Sequence, residues 1–135
     1  MSVKRIYVEK KAPYAVEAKQ LLWEIRHILQ IKTVTGLRLL NRYDVEGVED
    51  ALYQKCLPVV FSEPQVDVTY TALPHGAKAV FAVEYLPGQY DQRAASCEEC
   101  IQLVGQCARP TVRSARVYLL DGDFTADELA RVKKH

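Results

Sequence analysis

The sequence predicts an α+β fold: two strand-helix-strand-helix units in tandem, related by a pseudo-twofold, with an antiparallel sheet, helices packed on one side, and the final strand of the second unit missing. Three observations carry this. Segments of period two alternate with segments of helical period. The order of those segments restarts after Leu73-Pro74-His75-Gly76-Ala77, the one stretch with linker chemistry. Matching positions recur at an offset of about 75–78 residues, a spacing at which internal repeats are sought first. The units are residues 1–73 and 80–135, joined by a linker over 74–79.

In the first unit, residues about 3–9 read as a strand, with Ile6 and Val8 on one face and Arg5, Tyr7 and Glu9 on the other. After the Lys10–Pro13 turn, residues about 14–30 form the clearest helix: Ala18, Leu22, Ile25 and Leu29 recur three and four apart, and Leu21 and Ile28 widen the stripe. Leu37–Tyr43 is a second strand. A helix of about a dozen residues follows, carrying Val48, Leu52 and Cys56, and Pro58 marks its end or a kink because it lacks an N–H. Val66–Ala72 alternates strictly, which predicts one buried and one wet face.

The second unit opens with strand Val80–Leu86, broken by Pro87-Gly88, and a helix over about 91–106 with Asp91 as its N-cap and Ala94, Cys97, Ile101 and Val104 as its stripe. A strand over about 112–120 follows. Thr125-Ala126-Asp127-Glu128 is a capping box that starts a last short helix. Across the repeat, Val8-Glu9 corresponds to Val83-Glu84, Leu21, Ile25 and Ile28 to Cys97, Ile101 and Val104, and Leu37–Leu40 to Ala115–Tyr118. The second unit has no counterpart of Val66–Ala72, and that suggests a chain cut within a larger protein.

The formal net charge of +1 and the lack of any Lys/Arg run longer than two residues argue against nucleic acid and membrane surfaces, which call for clustered basic charge. The opening Met1-Ser2-Val3-Lys4-Arg5 enters a strand pattern without an apolar signal region, so a cytoplasmic location and reduced cysteines are expected.

Cys97-Glu98-Glu99-Cys100 lacks the second ligand pair of a structural zinc site, and its two carboxylates are the wrong charge for a redox pair. Histidines 27, 75 and 135 are scattered and meet no nucleophile motif. No residue is therefore assigned to catalysis, to a cofactor or to a metal. The polar cluster Gln89, Asp91 and Arg93, between a strand end and a helix start, is the candidate site, as an inter-domain contact.

Three strings extend this reading: Asn41–Gly47 (Asn-Arg-Tyr-Asp-Val-Glu-Gly), Val60–Pro64 (Val-Phe-Ser-Glu-Pro) and Phe81–Ala94 (Phe-Ala-Val-Glu-Tyr-Leu-Pro-Gly-Gln-Tyr-Asp-Gln-Arg-Ala). They closely resemble the amino-terminal region of large, PurL-type phosphoribosylformylglycinamidine synthase, and Val112–Leu120 is similar to the same family. The resemblance implies two PurS-like units and a non-catalytic assembly domain of a glutamine- and ATP-dependent ligase of purine biosynthesis. It implies ATP and magnesium in the parent enzyme rather than in this piece. It also implies synthetase and glutaminase domains of the same chain as partners, and an enclosed ammonia path. The excised piece is expected to be inactive, and its unpaired sheet edge invites homo-oligomerisation. The alternative is a free-standing, ferredoxin-like regulatory module binding a small molecule between its halves.

Overall fold

A computed structural model describes residues 3–86 and 88–134. Five strands, β1 (Lys4–Lys10), β2 (Val34–Glu46), β3 (Asp67–Tyr70), β4 (Ala79–Glu84) and β5 (Thr111–Gly122), form one antiparallel sheet in the order β3-β1-β2-β5-β4. Among the described residues four α-helices accompany it: α1 (Val16–His27), α2 (Asp50–Cys56), α3 (Gln92–Gly105) and α4 (Ala126–Lys134). The strand-helix-strand-helix order therefore occurs twice. The two halves meet in the middle of the sheet, where β2 and β5 pair from Val34↔Gly122 to Glu46↔Thr111.

Register and the period-two rule assign the faces. Ile6, Tyr43 and Val112 lie on the helix-covered face, in a cluster with Val8, Val45, Cys56, Phe61, Ala94, Cys97 and Ile101. A second cluster on that face joins Ile25, Val34, Leu120, Phe124 and Val132 beneath α1 and α4. All four helices thus cover one face.

The opposite face is not left to water. The 71–78 segment must travel from β3 at one edge to β4 at the other, and it crosses this face as a strap. Leu73 and Ala77 pack on Tyr7, Leu40, Val117 and Leu119, all of them buried. Tyr7, on the β1 face opposite Ile6 and Val8, is accordingly also a core residue. Beyond the strap the same face is charged. Arg42 of β2 reaches across the small Ala115 of β5 to Glu84 of β4, three residues in one cross-strand row.

Several sequence expectations need correction. Val66–Ala72 is reduced to the four-residue edge strand β3, in which Tyr70 packs against the cluster of Tyr7, Leu40, Val117 and Leu119 while Val68 is exposed. The predicted dozen-residue helix splits: Val48 precedes it, and α2 hands over to a π-helical turn, Leu57–Phe61, around Pro58. The missing N–H of Pro58 is the local reason for the change of winding. Phe61 then swings inward against Tyr43, with ring centroids 5.2 Å apart. Ile28 does not widen the buried stripe of α1. It caps the helix and is exposed, and Gln30 turns the chain through φ 58°.

The β2/β5 correspondence also shifts. Leu37 and Leu39 pair with Leu120 and Tyr118 on the helix side, whereas Ala115 and Val117 lie on the strapped side. Equating Leu37–Leu40 with Ala115–Tyr118 would exchange the two faces, so any equivalence must be displaced by an odd number of residues. Pro87 and His135 fall outside the described residues.

Candidate functional site

The site begins where the β4/β5 ladder stops, at Glu84↔Ala115. The next β5 residue toward its start is Ser114, 7% exposed, whose N–H has lost a strand partner on that side. Asp91 supplies the replacement. Its Oδ2 accepts from the Ser114 N–H at 2.9 Å, and its Oδ1 accepts from the Ser114 hydroxyl at 2.8 Å. The same Oδ1 accepts from the Ala94 N–H at 2.9 Å, which makes Asp91 the N-cap of α3, as expected. One carboxylate thus closes a helix start onto a strand.

Gln89 is used locally. Its Oε1 accepts from the Leu86 N–H at 2.6 Å while its own N–H donates to the Leu86 carbonyl at 3.0 Å. Gly88 makes this tight return possible with φ 87°, a left-handed conformation that costs glycine little.

Arg93 differs from both. Its Nη1 lies 3.4 Å from the hydroxyl of buried Tyr43, a long contact, and no carboxylate within ion-pair distance is present among the described residues. Burial pushes the Tyr43 phenol up, and Arg93 opposes that shift. The guanidinium lines two adjoining hollows. One, of about 220 Å³, lies between the starts of α1 and α3 and includes Tyr14, Asn41 and Tyr43. The other, of about 480 Å³, runs past Val60, Tyr85, Ser96 and Cys100. In the same turn Leu86 and Tyr90 are 67% and 74% exposed.

The three predicted residues therefore have different fates. Gln89 and Asp91 are engaged within the domain, and Arg93 alone retains donors for something else. Sequence reading missed Ser114 and Tyr43, the partners of Asp91 and Arg93. A polar serine inside the alternation of β5 was the available signal for the first. Nothing in the period-two pattern distinguished the second from any core tyrosine.

The cysteines do not gather into a reactive centre. Burial, and then Cys100, push the Cys97 thiol up to about 12, so it stays protonated at neutral pH. Cys56 is fully buried, while Cys100 and Cys107 are exposed. Among the described residues no three His, Cys, Asp or Glu side chains are placed to hold a metal ion, and no helix is long and apolar enough to cross a membrane. The His27 ring lies tilted beside Trp23, centroids 5.0 Å apart, on the outside of α1, and His75 lies exposed in the strap.

Comparison of the chain with family models, with curated proteins and with solved structures returned no match. What the site can do chemically thus rests on its geometry. It offers a rigid turn, a partly exposed aromatic and aliphatic surface, and one guanidinium without an acidic partner. That is the composition of a contact surface, in which tyrosine and arginine are enriched.

Proposed function

We propose that this chain is the PurS-like amino-terminal assembly domain of a phosphoribosylformylglycinamidine synthase, a cytoplasmic, glutamine- and ATP-dependent ligase of purine biosynthesis. In this reading the chain holds no cofactor of its own. ATP and magnesium bind in the synthetase part of the parent enzyme, and the glutaminase part supplies ammonia. The role of this domain is to hold those parts together and to help enclose the ammonia path. Enclosure matters because ammonia released to water at neutral pH is protonated and lost as a nucleophile.

The observation that carries the reading is Phe81–Ala94. The string that most resembles the family is also the stretch that carries exposed Tyr85, Leu86 and Tyr90, and Tyr85 lines one hollow together with Arg93, which has no acidic partner among the described residues. The repeated strand-helix-strand-helix order, joined through β2 and β5, is compatible with two PurS-like units related by a pseudo-twofold. Arg93 then docks a carboxylate or carbonyl of the synthetase or linker region and fixes the junction, while Asp91 and Gln89 hold the turn that presents it.

The test is a comparison of two rates in the parent enzyme. Arg93→Ala should lower glutamine-dependent formation of formylglycinamidine ribonucleotide several-fold while leaving the rate with added ammonia near its original value. Arg93→Lys should recover only part, since an ammonium lacks the bidentate fork. Normal rates with both nitrogen sources would remove the junction role.

A further inference from the structure

The hollow of about 220 Å³ between the starts of α1 and α3 holds donors that nothing within the domain uses. It lies over β1 and β2 on the helix-covered face, away from β4. Two carboxylates line it, and both are engaged. Asp67 accepts from Lys10 at 3.0 Å and from the Glu63 N–H at 2.8 Å, and Glu17 accepts from Arg116. The groups left over are donors. Tyr43 is 4% exposed, and its oxygen receives only the long contact from Arg93, while its own proton meets no acceptor among the described residues. A buried hydroxyl left in that state is costly and uncommon. The Asn41 amide, in the cross-strand row of Val8, Asn41 and Arg116, also lines the hollow without a partner among the described residues. Arg93 adds a positive charge that neither carboxylate balances. The first turn of α1, residues 16–18, has no side-chain cap, so its free N–H groups and the positive end of the helix dipole lie along the same space.

We infer that this hollow binds a single carboxylate carried on a short aliphatic stem. One such group supplies the acceptors that Tyr43, Asn41, Arg93 and the α1 N–H groups lack, and it balances the Arg93 charge. Its planar pair of oxygens matches the guanidinium fork. Val8, Leu39 and Phe61 also line the hollow, so a few methylenes can be buried behind the charge. The space is smaller than the roughly 300–1,000 Å³ of a cofactor pocket, which leaves no room for a nucleotide. A phosphate dianion would bring a second charge toward Asp67 and Glu17, with no further cation to meet it. The inference deepens the junction role of Arg93, and rests on that reading only for the source of the carboxylate: a glutamate side chain of the adjoining synthetase or linker region. A free acid of the same shape is the other source.

The probes are butyrate, its neutral isostere butyramide, and a capped Gly-Glu-Gly peptide. Each is titrated into the 135-residue chain and followed by NMR at the backbone amides of residues 16–18 and the side-chain amide of Asn41. Butyrate or the peptide should give saturable shifts there at millimolar concentration, and butyramide none. Tighter binding of the peptide assigns the carboxylate to a side chain, and tighter binding of butyrate assigns it to a free acid; either result supports the site. Tyr43→Phe, which keeps the ring against Phe61, should weaken the tighter ligand about fivefold, and Arg93→Gln about tenfold or more, in chains with an unchanged far-UV spectrum. No saturable shift with either carboxylate overturns the proposal. So does butyramide binding as well as butyrate, and so does a folded Tyr43→Phe chain of unchanged affinity. The two readings fail separately: a chain that binds no carboxylate strikes the hollow, whereas normal glutamine- and ammonia-dependent rates in the Arg93→Ala parent enzyme strike the junction.

Discussion

Asp91 shows how much one carboxylate carries in this fold. It caps α3 and at the same time accepts from the Ser114 N–H, which the end of β4 leaves without a strand partner, and from the Ser114 hydroxyl. Asp91→Ala should lose about 1 kcal/mol for the cap and about 1–3 kcal/mol for the stranded Ser114 donors. Asp91→Asn keeps one acceptor and should lose less. Urea unfolding of Asp91→Ala, Ser114→Ala and the double variant separates the two contributions. With Asp91 already gone, Ser114→Ala should cost clearly less than it does alone, and additive losses would mean that the two residues do not cooperate. The capping role was legible, because an aspartate before an apolar helical stripe announces itself. Its second role was not, since it depends on where β4 stops relative to β5, a tertiary fact that no local pattern encodes. The same limit applies to Arg93, whose chemistry was visible and whose neighbour Tyr43 was not.

Among the elements, α4 was read most directly. Thr125 and Glu128 form the expected reciprocal pair: the Thr125 N–H donates to Glu128 Oε1 at 2.9 Å, and the Glu128 N–H donates to Thr125 Oγ1 at 3.2 Å. The bond from the Thr125 backbone holds the Glu128 carboxyl below its ordinary value, with Thr33 contributing next. A carboxyl depressed in the folded state contributes stability above its unfolded pKa and loses that contribution as pH falls through the folded value. Protection of the amides in the first turn of α4, measured against their intrinsic exchange at each pH, should therefore fall as the solution is acidified through the carboxylate range, beyond the acid-dependence of the other helices. Glu128→Gln should abolish that extra dependence. Equal acid sensitivity in wild type and Glu128→Gln would show that the box does not govern the helix start. Elements governed by long-range packing were read less well. β3 looked like a longer half-buried strand because its alternation is real, yet only Tyr70 of that face packs into the strapped cluster while Val68 is exposed. α2 looked longer because Pro58 can end a helix or redirect it, and only the inward swing of Phe61 onto Tyr43 decides between the two.

At the scale of the molecule, the restart after residue 77 invited a division into two units, whereas the sheet joins them through its longest ladder. β2 and β5 pair across nearly their whole lengths, and β1/β2 and β4/β5 are each about half as long. The strap adds a second bond between the halves, on the side where sequence alternation could not say what covers Leu40, Val117 and Leu119. Neither half can unfold without exposing the other's central strand, so the chain should unfold in one transition. Leu40 is the position that reports on this. It is fully buried, sits in β2, and packs with Val117 and Leu119 of β5 beneath Leu73 and Ala77 of the strap. Leu40→Ala should cost about 2–5 kcal/mol, as large-to-small changes in a packed core do. Because the cluster belongs to both halves, the whole denaturation curve should move together. Trp23 fluorescence follows the first half, and amide exchange along α3 follows the second. If the two shift by the same free energy in Leu40→Ala, the halves are one cooperative body. A shift confined to Trp23, with α3 protection unchanged, would instead make them independent units that merely share a sheet.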